Sequence, residues 1–253
     1  MDNIIQKIKE FLLDLFFPKF CLGCQKEGVY LCDDCRALLD ISEFDYCLCD
    51  TKPLRLPTTQ LTGKCSRCSD KKLSGLFSAL PYKEKQLTKK LIYQFKYQPY
   101  LKDLAKTLAS ILIEHFVISG KNTNEIWDNG VLIPVPLDKK KLKSRGYNQS
   151  EELAKELSKV LQIPVISNSL VKIKSTAAQM ELSKEQREKN LENAFAIKHP
   201  ESLQTSEVCK LSNKKIFLVD DVYTTGSTMQ ECAKVLKENG VRQVWGICIA
   251  CEE

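Results

Sequence analysis

At 253 residues, with 43% hydrophobic and 28% charged side chains, the chain has a globular composition and the length for one α/β domain plus a small appendage. The 38 Lys and Arg against 32 Asp and Glu leave a formal net charge of +6, which assists polyanion binding without requiring it. No apolar run approaches the roughly 18 residues of a membrane span, which excludes a helical integral membrane protein.

The first predicted element is a helix. In "NIIQKIKEFLLDLFF" the residues Ile4, Ile5, Ile8, Phe11, Leu12, Leu15 and Phe16 recur on one helical face, with Lys7, Lys9, Glu10 and Asp14 opposite, until Pro18 stops the pattern. A polar face carrying both signs favours packing on the body of the protein or on a partner helix over a membrane surface. The segment is short, charged and without a small-residue cleavage site, so no secretory signal is expected and the location expected is a reducing cytoplasm.

Of 12 cysteines, eight lie between Cys21 and Cys68. The pairs Cys21/Cys24, Cys32/Cys35 and Cys65/Cys68 have the two-residue spacing of knuckles, in which a tight turn points two thiolates at one tetrahedral ion. Cys47 and Cys49 form a fourth pair with one intervening residue, so the eight ligands leave one or two Zn²⁺ open. Residues 21 to 68 are expected to have too little core to fold without metal. Cys209, Cys232, Cys248 and Cys251 read as structural, although the last two imitate a knuckle.

"LSGLFSALPYKE" predicts a strand pair, or a strand and turn, and a long helical region follows from Lys85 to Phe116, broken at Pro99. From Val131 the pattern becomes strand, turn, helix. The predicted strands are "VLIPVPL", "IPVISNSLVKI", "NAFAIK", "KIFLVDD" and "VRQVWGICIA"; the helices are "SEELAKELSKVL", with Ser150 as its cap, and "STMQECAKVLKENG". Such alternation implies a parallel sheet with helices on its faces.

At the carboxyl end of a buried strand, "VDD" supplies Asp220 and Asp221, and "YTTGST" follows as a small-residue turn into a helix. Amides around Gly226 can approach a phosphate, with the helix N-terminus behind them. Two acids repel a phosphate, so they face either vicinal hydroxyls or a Mg²⁺ already neutralised by ligand oxygens. Together these features describe a ribose 5-phosphate site. The chain has no G-x4-G-K-[ST] element and one glycine where a dinucleotide fingerprint needs three.

"IFLVDDVYTTGST" resembles the phosphoribosyl pyrophosphate (PRPP) signature of type I phosphoribosyltransferases. With "IPVPL", "RGYNQSEELAKEL", "TAAQMELSKEQREKN" and "FPKFCLGC", the chain is similar to the ComF family of ComFC-type competence proteins and their GntX-like relatives. The resemblance implies an α/β phosphoribosyltransferase-like parallel sheet over residues 71–253 and a zinc-ribbon-like module over residues 1–70. It assigns the ribose to Asp220 and Asp221 and the 5-phosphate to Thr224, Thr225, Gly226, Ser227 and Thr228, with Val222 and Tyr223 also among the PRPP-binding residues. Val135 and Pro136, in the loop Pro134 to Leu137, take the pyrophosphate, beside Arg145 as a clamp.

The same resemblance makes residues 172 to 190 a lid carrying Lys172, Gln179 and Arg187. It implies structural Zn²⁺, Mg²⁺ with PRPP, loss of pyrophosphate from the ribose through an oxocarbenium-like state, and no protein nucleophile; His115 and His199 receive no role. Its functional setting is DNA uptake in natural transformation, with single-stranded DNA, ComFA-like helicases and DprA-like proteins as implied partners. The chain is then either a phosphoribosyltransferase acting on a base, an amine or a nucleic acid end, or a PRPP- and DNA-binding adaptor. The run Lys139, Lys140, Lys141, Lys143 and Arg145, with Tyr147 for stacking, suits a strand backbone and reads equally as a solubilising loop.

Overall fold

A computed structural model describes residues 16–49, 53–56, 63–82, 86–121, 123–174, 184–198 and 211–252. The N-terminal amphipathic helix, Gln179, His199 and Cys209 lie outside the described residues.

Four parallel strands form the central sheet: β1 (Gly75–Pro81), β2 (Gly130–Pro134), β5 (Lys215–Tyr223) and β6 (Gln243–Cys251), in the order β1, β6, β5, β2. β3 (Leu170–Lys172) and β4 (Phe195–Ile197) stand apart as an antiparallel pair. The described helices are α1 (Asp33–Ala37), α2 (Gln86–Lys96), α3 (Leu104–Ile118), α4 (Asn124–Trp127), α5 (Lys139–Arg145), α6 (Gln149–Leu161), α7 (Lys184–Leu191) and α8 (Ser227–Glu238).

Because successive strand side chains alternate in direction, "IFLV" in β5 sends Ile216 and Leu218 to one face and Phe217 and Val219 to the other. Both faces are covered, as a parallel sheet requires. Phe217, Val219, Phe77, Ile247 and Ile249 meet the apolar faces of α2, α3 and α6, while Ile216, Leu218, Leu76, Val244 and Cys248 meet α8 and the β3/β4 pair. Phe77 stacks on Trp245 with ring centroids 5.2 Å apart, and Trp127 sits 4.8 Å from Phe217.

The cysteine segment is built into these same two cores. Cys21, Cys32 and Cys35, with Leu31 and Leu39, join the α3 side; Cys47 and Cys68, with Leu48 and Leu56, join the α8 side. Polar ties fix the α3 side: Arg36 Nε donates to Glu114 at 2.8 Å, Ser42 N donates to Ala79 O at 2.8 Å, and Lys121 Nζ meets Asp45 at 3.0 Å. Buried His115 belongs to this contact, its Nδ1 lying 2.6 Å from Ser42 O, and burial holds its pKa below the usual range.

"LSGLFSALPYKE" supplies the single strand of the strand-and-turn reading, β1, and the long helical region divides at the expected Pro99 break into α2 and α3. Other expectations from periodicity are corrected. "IPVISNSLVKI" is not a strand of the main sheet throughout. Val165 makes one parallel bridge to Leu132, and the chain then leaves to form β3, which pairs with β4 rather than with a central strand. The cap of α6 is Asn148, whose side chain accepts from Ser150 N; Ser150 lies inside the first turn, with its hydroxyl free to point elsewhere.

Candidate active site and metal centres

Parallel packing places the carboxyl ends of β2 and β5 side by side, and the chain continues from both into α/β turns. The loop after β2 remains on the ladder, with Val135 N donating to Val219 O at 2.9 Å. Asn148 then links loop and helix: its Nδ2 donates to Val135 O at 3.0 Å while its Oδ1 caps α6. The N-terminus of α6 reaches the acid pair through Ser150, and α8 begins at Ser227, directly after the turn that follows β5, so two helix N-termini open at this edge, an arrangement that favours anions.

Asp220 and Asp221 lie near the carboxyl end of β5, two residues before it ends at Tyr223, on opposite faces. Asp220, half-buried, accepts from Ser150 Oγ at 2.9 Å and from Asp221 N at 2.9 Å. Burial, and then the Asp221 carboxylate, push its pKa up to about 7; Lys96 and the two hydrogen bonds pull the other way. Asp221 is 3% exposed and meets Lys96 Nζ, from the end of α2, at 3.0 Å from each carboxylate oxygen. Burial works against the Lys96 ammonium, but Asp221 and Asp220 outweigh it and hold its pKa above the ordinary value.

The turn after β5 is shaped for a close approach. Gly226 has φ +73°, and a Cβ there would come within 2.2 Å of the Tyr223 ring. Both conditions select glycine, so Gly226→Ala is expected to lower stability by about 2 kcal/mol, read by denaturant unfolding, and to weaken any anion held by the turn. Thr225 Oγ1 lies 2.8 Å from Ser227 Oγ and 3.4 Å from Ser227 N, at the first amide of α8.

Arg145 ends α5 beside the loop. It donates to the buried Gln149 side chain and lies 5.9 Å from the Tyr97 ring centroid. Tyr147 is buried, and its hydroxyl donates to Phe95 O at 2.6 Å, so it is not available for stacking as the sequence suggested. Exposed aromatic surface comes instead from Tyr93 on α2 and Tyr97 just after it, whose rings lie 4.8 Å apart. Lys172, on β3, lies over Phe195 at 5.6 Å; burial and then Lys141 lower its pKa. Arg187 falls on α7, a helix attached to the β3/β4 pair.

Sequence reasoning missed Lys96, and it placed Asn148 beside the loop and Ser150 at the helix start without foreseeing that Asn148 is the cap and that Ser150 donates to Asp220. Lys96 carried a weak signal: it is a cation directly after the buried Phe95 at the end of a helix whose apolar residues all face the core.

The eight N-terminal cysteines form two groups, Cys21/Cys24/Cys32/Cys35 and Cys47/Cys49/Cys65/Cys68, with the sulfurs of each group within 4.8 Å of one another. Individual sulfur pairs lie 3.5 to 3.8 Å apart. A Zn–S bond of about 2.3 Å in a tetrahedron gives an edge of about 3.8 Å, so the donor sets fit zinc, and the separations are too long for disulfides. The irregular Cys47/Cys49 pair fits as well as the others. Gly23 lets the first knuckle close, since a Cβ there would sit 2.5 Å from Cys35 Sγ. Cys232 and Cys248 are fully buried away from both groups, and burial raises both thiols.

A shallow open cleft joins the second cysteine group to the carboxyl edge of the sheet, between Tyr46 and Pro53 on one side and Ser78, Tyr223 and Thr224 on the other. Among the described residues, no helix is long and apolar enough to cross a membrane.

Comparison with known proteins agrees with this architecture. A phosphoribosyl transferase domain model matches residues 143–252. DNA utilization protein YhgH of Shigella flexneri is 30% identical over 232 residues, covering 86% of this chain and 96% of the relative. Competence protein F of Haemophilus influenzae is 38% identical over 162 residues, 63% of this chain and 67% of that protein. The chain belongs to the ComF family. A more distant ComF relative, competence protein ComFC of Bacillus subtilis, is 29% identical over 110 residues, 44% of this chain and 39% of the relative. The phosphoribosyl transferase domain match over residues 143–252 contains Arg145, the cap at Asn148, both acids and the Gly226 turn, whereas the cysteine groups and Lys96 lie before it.

Proposed function

We propose that the chain binds PRPP at the carboxyl edge of the sheet and acts in DNA uptake, handling incoming single-stranded DNA in the cytoplasm. One observation carries the PRPP reading: an acid pair for the ribose hydroxyls stands between two helix N-termini, one entered through the Gly226 turn and the other capped by Asn148 on the Val135 loop. In this reading residues 222 to 228 hold the 5-phosphate. Val135, Pro136 and Arg145 meet the pyrophosphate, and Lys172, Gln179 and Arg187 close over it. Mg²⁺ would arrive on the pyrophosphate oxygens and neutralise them. Among the described residues the acid pair is not part of a group of three metal-ligating side chains, which fits a cation carried by the ligand. Residues 1–70 would be the zinc-dependent part and 71–253 the PRPP-binding part.

The DNA reading is supported by the relatives' names and by a surface next to the site. The exposed helix α5 presents Lys139, Lys140, Lys141 and Lys143, and at its end Arg145 adjoins the exposed Tyr97/Tyr93 pair. Base stacking on aromatic rings combined with phosphate contacts is the usual mode of single-strand binding. A small-acceptor phosphoribosyltransferase is the second reading, favoured by the cleft beside Thr224.

The test measures binding and pyrophosphate release together. Wild-type protein is expected to bind Mg²⁺-PRPP, and the Tyr93→Ala/Tyr97→Ala double variant to lose about tenfold in single-strand affinity with PRPP binding unchanged. Absence of PRPP binding would sink the ligand reading; unchanged DNA affinity would sink the stacking surface. Pyrophosphate release that depends on a small amine or base, and not on DNA, would support the second reading.

A further inference from the structure

The two acids are chemically adjacent in sequence but stand in different places. Asp221 faces the α2 side of the sheet, is 3% exposed, and has both oxygens 3.0 Å from the Lys96 ammonium. Asp220 faces the other side, is half-buried, and is held only by the Ser150 hydroxyl and a backbone amide. Oδ1 of Asp221 accepts the Lys96 hydrogen bond, and Oδ2 is buried beside the same ammonium without a hydrogen bond among the described residues, so a sugar hydroxyl reaching either oxygen must enter a closed site and disturb the ion pair. A carboxylate holding one serine hydroxyl exchanges it for another hydroxyl at little cost.

We infer that the acid pair divides its work: Asp220 alone receives the ribose hydroxyls, and Lys96 is a positioning residue that binds Asp221 away from the ligand and supplies the pair with a permanent counter-charge. The inference rests on the PRPP reading and sharpens it, since two equivalent acids is the arrangement the sequence suggests. Lys96 takes part through Asp221 and does not itself touch the ligand. The end of α2 thereby joins the ligand site to the Tyr93/Tyr97 surface, because Tyr93 and Lys96 share its last turn and Tyr97 follows directly.

Charges facing Asp220 give the inference a pH signature. They are Asp221 on its own strand, Lys96 from α2 and Lys172 from β3, with the Cys232 thiol of α8 and the Cys248 thiol of β6 as titratable neighbours held neutral by burial, and Ser150 of α6 as its hydrogen-bond partner. Ligand binding to an ionised Asp220 strengthens as pH rises through its pKa. Removing Asp221 lowers that midpoint, and removing Lys96 raises it.

Calorimetric titration of the full chain with Mg²⁺-PRPP tests the division. Lys96→Met, which leaves Asp221 unpaired, is expected to weaken binding at least tenfold, on the order expected for stranding a buried charge, and to shift the pH midpoint upward. Asp221→Asn should shift the midpoint downward. Lys96→Arg, which keeps the cation, should retain affinity, and the Lys96→Met/Asp221→Asn double variant should bind within about threefold of wild type. Asp220→Asn should lose about 100-fold through lost charge-assisted hydrogen bonds. A double variant as weak as Asp220→Asn overturns the inference, because Asp221 would then read the ligand itself; so does equal weakening at every pH, which marks a merely structural pair. If Lys96→Met does not fold, the double variant and Lys96→Arg carry the same decision. Wild-type protein that binds no PRPP removes the underlying reading, whereas wild-type binding with a failed double variant removes this inference alone.

Discussion

Cys32→Ser is expected to lower the zinc content from two ions to one per chain and the apparent melting temperature by about 10 °C or more, since a structural zinc in small modules contributes on the order of 10 kcal/mol of folding free energy. The size follows from where the sulfurs sit. Cys32 is 4% exposed in the core shared with α3, and its sulfur contacts those of both Cys21 and Cys24. Loss of the ion would release Leu31 and Leu39 from that core and loosen the Arg36 tie to Glu114. Cys65→Ser should do the same on the opposite face, where its group is joined to Leu48 and Leu56. Metal analysis with thermal unfolding checks both. Cys232→Ala is the control: its cost is a small cavity, and both ions should remain. Two ions retained in Cys32→Ser would contradict the metal assignment.

Legibility differed between the parts of the chain for physical reasons. Cysteine spacing exposed the metal sites because a tetrahedral ion leaves few ways to space its ligands, yet the Cys47/Cys49 pair obscured the second group. There the partner pair lies 16 or more residues away, and backbone folding, not local spacing, closes the set. β5, the phosphate turn and α8 were legible because the apolar run, the acids, Gly226 and the helical period are contiguous. Lys96 was not, since its meaning depends on a contact 125 residues distant.

The β3/β4 pair misled for a related reason. "LVKI" and "NAFAIK" have the apolar content of central strands, but periodicity cannot say which neighbour a strand selects. Tyr147 failed in the opposite direction. A tyrosine beside a basic run reads as a surface ring, but packing against Phe95 and donation to its carbonyl bury it.

Asp220→Asn is expected to abolish most PRPP binding and yet to raise the melting temperature of the ligand-free protein at about pH 8. The sign follows from proton linkage. Folding raises the Asp220 pKa to about 7, from burial first and the Asp221 charge second. Between the ordinary carboxylate range and about pH 7 the native state holds a proton that the unfolded chain has released, so this group's contribution to stability falls as pH rises across that interval. Above it, the folded protein carries a charge in an unfavourable place. Asparagine keeps an oxygen to accept from Ser150 Oγ and Asp221 N while removing that charge. The stability gain should therefore be largest above about pH 7 and shrink steadily as pH falls from there, reaching zero only in the ordinary carboxylate range at about pH 4, where the unfolded chain also holds its proton. Melting curves of both proteins across this range, without ligand, are the measurement. A variant less stable than wild type at every pH would mean that the carboxylate supports the fold and is not held at a cost for the ligand.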